Sequence, residues 1–208
     1  MLKLHHSPLA CSLASRFALA ESGLDHELSI VNTGAGENKL PAYIDINPRG
    51  KVPALETPDG VLTESIAILT YIADLVPEKS LFPAPQSFER ATGLSWLSFL
   101  SSSVHASLSQ IIRPRAGCEG EAAKQSGLDR ITEVFQDLDT HLEGRDHVLE
   151  GFSVCDLYLT VFSLWRGAPE IGGALKAFSN VDRLQNSTLA RPALSGILES
   201  ELKLRAGA

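Results

Sequence analysis

The chain has 208 residues, 44% hydrophobic and 21% charged, with a formal net charge of −7; that length suits two domains and that composition supports a buried core. The acidic balance argues against the basic footprint of a nucleic-acid binder and against adhesion to anionic lipid. The start Met1-Leu2-Lys3-Leu4-His5-His6 carries no leader-like apolar run and no stretch is long enough to span a bilayer, so a cytoplasmic protein with neither nucleic-acid nor membrane partner is expected.

Leu2 to His6 reads as a short strand, and Ser12 to Ser22 as a helix with Leu13, Phe17 and Ala20 on one face, stopped by Gly23. His26 to Val31 alternates as a second strand. A helix is predicted over Asn38 to Ile46, ended by Asn47-Pro48. Pro53 to Glu56, the turn Pro58-Asp59-Gly60 and Val61 to Thr63 form a hairpin. Glu64 to Leu75 follows as a helix, with Ile66, Leu69 and Ile72 or Ala73 at apolar positions. The order βαβαββα is that of an α+β, thioredoxin-like domain, and it implies a mixed sheet because a hairpin follows a right-handed βαβ unit.

Pro77 to Gln86 holds three prolines and breaks every periodicity, which marks a linker. The expected organisation is a domain over 1–79, a linker over 80–87 and an all-helical bundle over 88–208. Its helices are predicted at Phe88–Ile112, Glu121–Leu142, Val154–Trp165 and Thr188–Leu202. Ser153, with Asp156 three residues on and Phe152 and Leu157 at staple positions, spells a capped helix start.

Three cysteines without metal-ligand spacing make a disulfide framework unlooked for. Cys155, in an apolar run, reads as a core residue; Cys118 falls in a loop and is given no role. Cys11 stands where a strand gives way to a helix, and a helix N-terminus biases a thiol toward thiolate. Against that, an isolated cysteine is ordinarily a small buried hydrophobe. No second cysteine completes a Cys-x-x-Cys pair, so only a mixed disulfide with a small thiol is open to it.

Val52-Pro53 is either an ordinary strand-starting proline or a cis bond that presents the Val52 N–H and C=O to an extended peptide. Thr63-Glu64-Ser65 is either a plain capped helix start or a zwitterion site, with Ser65 and the helix dipole toward a carboxylate and Glu64 toward an ammonium. His5 or His6 points toward the pocket, because strand residues alternate. His26, His141 and His147 are expected to be solvated, and no histidine pair with carboxylates suggests a metal. Arg113-Pro114-Arg115 is either a solvated helix end or a site for an anionic co-substrate.

Ser7-Pro8-x-Ala10-Cys11-Ser12, Asn47-Pro48-Arg49-Gly50-Lys51-Val52-Pro53-Ala54-Leu55 and Leu62-Thr63-Glu64-Ser65, together with Trp96 to Leu100 leading to His105, Phe152 to Asp156 and Arg191-Pro192, resemble the glutathione transferase superfamily, closest to its bacterial beta class. The resemblance covers nearly the whole chain. It implies glutathione as co-substrate, a homodimer, and a helical domain forming most of the second-substrate pocket. It places Cys11, Ser12 and His105 at the glutathione sulfur, the Val52 backbone beside a cis Pro53 along the cysteinyl unit, Glu64 and Ser65 at the γ-glutamyl end, and Lys39 near the glycyl carboxylate. Leu108, Arg113, Arg115 and Trp165 are the expected second-substrate residues. The chain departs from the class at Ala106 (usually lysine), Ser98 (usually asparagine) and His5 and His6 (usually tyrosines), changes that bear on pocket charge and on the subunit-to-subunit contact.

The activity implied is conjugation of glutathione to small hydrophobic electrophiles, with thiol reduction through Cys11 as a second branch. A glutathione-dependent isomerase or dehalogenase, or a non-catalytic interaction module on the same fold, are the alternatives.

Overall fold

The computed structural model describes residues 1–114, 116–117, 120–175 and 178–207. Its first unit is built on a four-stranded mixed sheet. β1 (Leu2–His6) lies between the parallel β2 (His26–Ile30) and the antiparallel β3 (Ala54–Thr57), with β4 (Gly60–Thr63) outermost. Helix α1 (Leu13–Ser22) forms the crossover, ended by Gly23 in the left-handed region (φ 72). Helix α3 (Ser65–Leu75) follows the hairpin and packs on α1. Leu4, Leu55, Leu13, Phe17, Leu19, Ile68, Leu69 and Ile72 are almost wholly out of water, each worth about 1.5–3 kcal/mol of transfer free energy.

The predicted strands and the order βαβαββα are found, with three local differences. The buried row of α3 is Ser65, Ile68, Leu69, Ile72 and Ala73, a continuous i, i+3, i+4, i+7, i+8 stripe. Ile66 is therefore only half-buried, as is Ala20 on α1. The helix expected over Asn38–Ile46 is instead a 3₁₀ turn, Glu37–Lys39, and the short α2 (Pro41–Ile44). Pro41 has no N–H to continue a helix but is well suited to begin one. Within the proline-rich stretch, Pro77–Lys79 forms a 3₁₀ turn and Leu81 and Phe82 are buried.

The second unit spans 85–188. α4 (Phe88–Phe99) continues through a π-helical stretch, Leu100–His105, into α5 (Ala106–Ile112), where the sequence predicted one uniform helix. α6 (Glu121–His141) and α7 (Val154–Trp165) match their predictions to within a residue. Every residue of α7 from Val154 to Ser163 is buried, as befits a helix that is apolar all round. The capping box is present: Ser153 N–H donates to Asp156 Oδ2 (2.7 Å) and Cys155 N–H to Ser153 Oγ (3.2 Å). Asp156 Oδ1 also accepts from Val148 N–H (2.8 Å). Cys155 is a core residue, and burial pushes its thiol up to about 12.

The helix predicted over Thr188–Leu202 is replaced by α8 (Ser179–Leu189), a 3₁₀ turn at Pro192–Leu194 and α9 (Ile197–Ala206). Pro192 starts the turn, and Gly196, in the left-handed region (φ 75), sits at the entrance to α9. Residues 189–208 belong to the first unit. Two of the histidines expected in solvent are half-buried and bonded. His141 lies 4.1 Å from Trp96 between ring centroids and donates to the Val148 carbonyl (2.8 Å), while His26 bonds the Leu24 carbonyl (2.8 Å). His147 is half-buried as well. Among the described residues no helix is long and apolar enough to cross a membrane.

Candidate functional site

Strand register assembles the site in the first unit. Ala54 pairs with His5 across β1–β3 and with Thr63 across β3–β4. The segments just beyond these residues, the β1–α1 loop, Val52-Pro53 and Glu64-Ser65, therefore leave the sheet at one end. Cys11 closes the group: its Sγ lies 3.4 Å from the Val52 carbonyl and donates to it. The peptide Val52-Pro53 is cis. Cys11 is 9% exposed, Val52 half-buried, Pro53 buried. The thiol is thus buried at the start of a helix and bonds the backbone just before β3.

Glu64 precedes α3 with φ 70 and ψ 126, a conformation that costs a non-glycine residue about 1–3 kcal/mol and clusters at ligand sites. Its carboxylate is exposed, 3.9 Å from the Arg49 guanidinium, which also donates to Thr63 Oγ1 (3.2 Å). An ion pair this exposed adds little stability, so the carboxylate is available to a cationic ligand. Ser65 is buried in the first turn of α3.

The segment leading to Val52 is fixed by residues whose part the sequence did not reveal. Tyr43 Oη and Asn47 Nδ2 both donate to the Lys51 carbonyl (2.6 Å each), and Asn38 Nδ2 donates to the Gly50 carbonyl (2.7 Å). Burial pushes the Tyr43 phenol up to about 12, so it stays a donor throughout the neutral range. Gly50 has φ 58, and a Cβ there would stand 2.8 Å from the Asn38 carbonyl oxygen, which only glycine avoids. Asn47 and Gly50 fall in the motif Asn47 to Leu55 that carries the resemblance, where only Asn47-Pro48 has a local part, as a helix end, and nothing marks Asn38 or Tyr43. Lys39, next to Asn38, is exposed.

Ser12 is fully buried, with its hydroxyl taken up by His6 Nδ1 (2.8 Å) and Ser7 N–H (3.2 Å). The expectation that His5 or His6 faces an open pocket is corrected, because both rings are committed. His5 donates through Nε2 to Glu56 (2.6 Å) and meets Tyr43 edge-on; this bond, with Lys3 second, holds the Glu56 carboxyl below its usual range. His6, on the opposite face, is fully buried against Glu201.

In the second unit, His105 ends the π-helical stretch, half-buried, stacked on Phe162 and edge-on to Trp165 (5.3 Å each). Trp165 is half-buried and Arg113 exposed at the end of α5. Leu108 departs from its expected place lining a pocket: it is fully buried in the core of this unit, because it lies on the same face of α5 as Ile111. Arg115 and Cys118 lie outside the described residues. Among the described residues no three metal-ligating side chains come together.

The family profile described as "Glutathione S-transferase, N-terminal domain" matches residues 2–74. The chain is 30% identical to a glutathione S-transferase of Xanthomonas campestris pv. campestris, GST-4.5, covering 96% of this chain and 98% of that one. It is similar in structure to a sphingomonad glutathione S-transferase complexed with glutathione (TM-score 0.85, 38% identity, 96% of this chain and 98% of that chain). The same coverage and TM-score, at 33% identity, hold for a bacterial beta class glutathione S-transferase of Sphingomonas chungbukensis.

Proposed function

Because the chain belongs to the glutathione S-transferase family, we propose that the sheet end carrying Cys11, Val52-Pro53 and Glu64-Ser65 binds glutathione and that the protein conjugates it to small hydrophobic electrophiles. The observation that carries this is the register of β1, β3 and β4, which gathers three segments scattered over more than fifty positions at one end of the sheet, with the Cys11 thiol against Val52. An extended tripeptide pairs its backbone with Val52. Its γ-glutamyl carboxylate takes the start of α3 and the Ser65 hydroxyl, its ammonium takes Glu64, and Lys39 serves the glycyl end. The peptide's sulfur then stands beside Cys11 at the start of α1, where a thiolate is favoured.

In conjugation, the glutathione thiolate attacks an electrophilic carbon and expels the leaving group. In the second branch, the Cys11 thiolate attacks the glutathionyl sulfur of a mixed disulfide and releases the partner thiol; a second glutathione then attacks the Cys11–glutathione bond, freeing Cys11 and leaving as glutathione disulfide. The role of His105 as a group acting on the thiol rests on the family motif, and Trp165 and Arg113 are proposed for the second substrate. Functionally we divide the chain into a glutathione-binding domain (1–79), a linker (80–87) and a helical domain (88–208), working as a cytoplasmic homodimer.

Cys11→Ala separates the branches. Conjugation of an aryl halide is expected to survive while reduction of glutathione mixed disulfides collapses by two orders of magnitude or more. Both activities persisting unchanged would reduce Cys11 to packing. Failure of the protein to be retained on immobilised glutathione would favour an interaction module instead.

A further inference from the structure

The peptide that joins Lys51 to Val52 is held by two side chains from the preceding segment. Tyr43, on α2, is buried, and its hydroxyl donates to the Lys51 carbonyl (2.6 Å). Asn47, also buried, donates to the same oxygen through Nδ2 (2.6 Å), while its Oδ1 accepts the Arg49 N–H (3.1 Å). One peptide earlier, Asn38 Nδ2 donates to the Gly50 carbonyl (2.7 Å). The ring of Tyr43 is itself seated on the sheet: it meets His5 edge-on (5.8 Å between centroids), and His5 on β1 bonds Glu56 on β3 (2.6 Å).

A peptide unit is planar, and in its trans form the N–H points opposite to the C=O. Val52-Pro53 is cis, whereas the Lys51–Val52 peptide is trans. Two donors on the Lys51 oxygen therefore also fix the direction of the Val52 N–H, the one backbone donor that this residue has. The Val52 carbonyl belongs to the next peptide and accepts from the Cys11 thiol. A phenylalanine would fill the place of the Tyr43 ring against His5; the hydroxyl adds the bond to the Lys51 carbonyl.

We propose that Tyr43 is a positioning residue for glutathione: through the Lys51 carbonyl, its hydroxyl holds the Val52 N–H in the direction that pairs with the backbone of the extended tripeptide. The proposal rests on the reading of this sheet end as the glutathione site. Without the hydroxyl, Asn47 alone holds the peptide, and the segment samples other orientations. Apparent affinity then falls with the fraction of molecules still correctly set. Bound glutathione restores the orientation, so turnover at saturation is kept.

Tyr43→Phe removes the hydroxyl and keeps the ring on His5. The KM for glutathione, with an aryl halide as second substrate, and the Kd for glutathione by calorimetry are both expected to rise about three- to tenfold. The kcat at saturating glutathione is expected to stay at the wild-type value. Ser153→Ala, which weakens the cap of α7 in the other unit, is the control: it lowers stability and leaves the KM for glutathione unchanged. Unchanged KM and Kd in folded Tyr43→Phe, or a lower kcat at unchanged KM, would overturn the proposal. Hydrogen exchange without glutathione reads the hold on Val52 by itself. Faster exchange from Asn47 to Thr57 in Tyr43→Phe, with α1 and β2 unaltered, is expected, and equal exchange there would overturn the proposal. If Tyr43→Phe does not fold, Asn38→Ala frees the neighbouring Gly50 carbonyl and is read in the same way. A wild-type protein that takes up no glutathione removes the reading of the site, and with it the ligand half of the proposal, while the exchange comparison still decides whether Tyr43 holds Val52.

Discussion

Cys11 and Cys155 differ in surroundings more than in sequence context. Cys11 lies at the rim of the β1–α1 loop, whereas Cys155 is sealed inside the first turn of α7 with its Sγ 3.6 Å from the Gly93 carbonyl. With the Cys155 thiol pushed up to about 12, its thiolate fraction at neutral pH is of order 10⁻⁵. Iodoacetamide is therefore expected to label Cys11 in the native protein and to reach Cys155 only after denaturation; equal native labelling would contradict the packing described for α7. Glu201 contributes, with Glu56, to the pH dependence of the first unit. Burial alone would raise its carboxyl, but the bonds from His6, Leu9 and Arg16 prevail and hold it below its ordinary value of 4.5. A carboxyl lowered by folding gives stability that is full above that ordinary value and is lost as the pH falls through the folded one. Glu201→Gln is expected to lower stability at neutral pH and to flatten this acid limb, as followed by denaturant midpoints across pH. Cys11, Pro53 and Glu64 could be read from the sequence because each sits in a short local motif. Glu201 could not, because its partner His6 is 195 positions away and nothing in either neighbourhood marks the pair.

At the scale of elements, helices with explicit boundaries were legible and those without were not. α7 begins with its capping box, and Ser153→Ala is expected to cost about 0.5–2 kcal/mol in chemical denaturation. α8 has only Val181, Leu184 and Thr188 buried in an otherwise polar run, too sparse a stripe to stand out. The π-helical stretch Leu100–His105 gives no periodic signal because its residues continue an ordinary helical pattern; only the hydrogen-bond register changes. In α3 the expected Leu69, Ile72 and Ala73 fall on the buried stripe, and only Ile66 was misplaced, the stripe continuing through Ser65 and Ile68 instead. Ile68, fully buried, and Ile66, half-buried, are chemically identical, so Ile68→Ala is expected to cost about 2–5 kcal/mol and Ile66→Ala clearly less. In the segment before β3, Gly50→Ala introduces a Cβ at 2.8 Å from a backbone oxygen at φ 58. It is expected to displace Val52 and weaken glutathione binding more than it lowers overall stability, which paired calorimetric and denaturation measurements would show.

For the whole molecule, the thioredoxin-like order and the helical remainder were readable because strand alternation, helical stripes and proline punctuation are local signals. The return of residues 189–208 to the first unit was not, because it is written in distant pairs: Glu201 with His6 and Arg16, and Arg191 with Glu21 (2.6 and 2.9 Å). The strand register and the hold on Val52 serve a function only if the sheet end is a tripeptide site. Isothermal titration of the folded protein with glutathione tests this most directly: a saturable heat of one glutathione per chain at millimolar concentration or below, reduced by Glu64→Gln, is the predicted result. A flat titration at millimolar glutathione from a protein that melts cooperatively would contradict it.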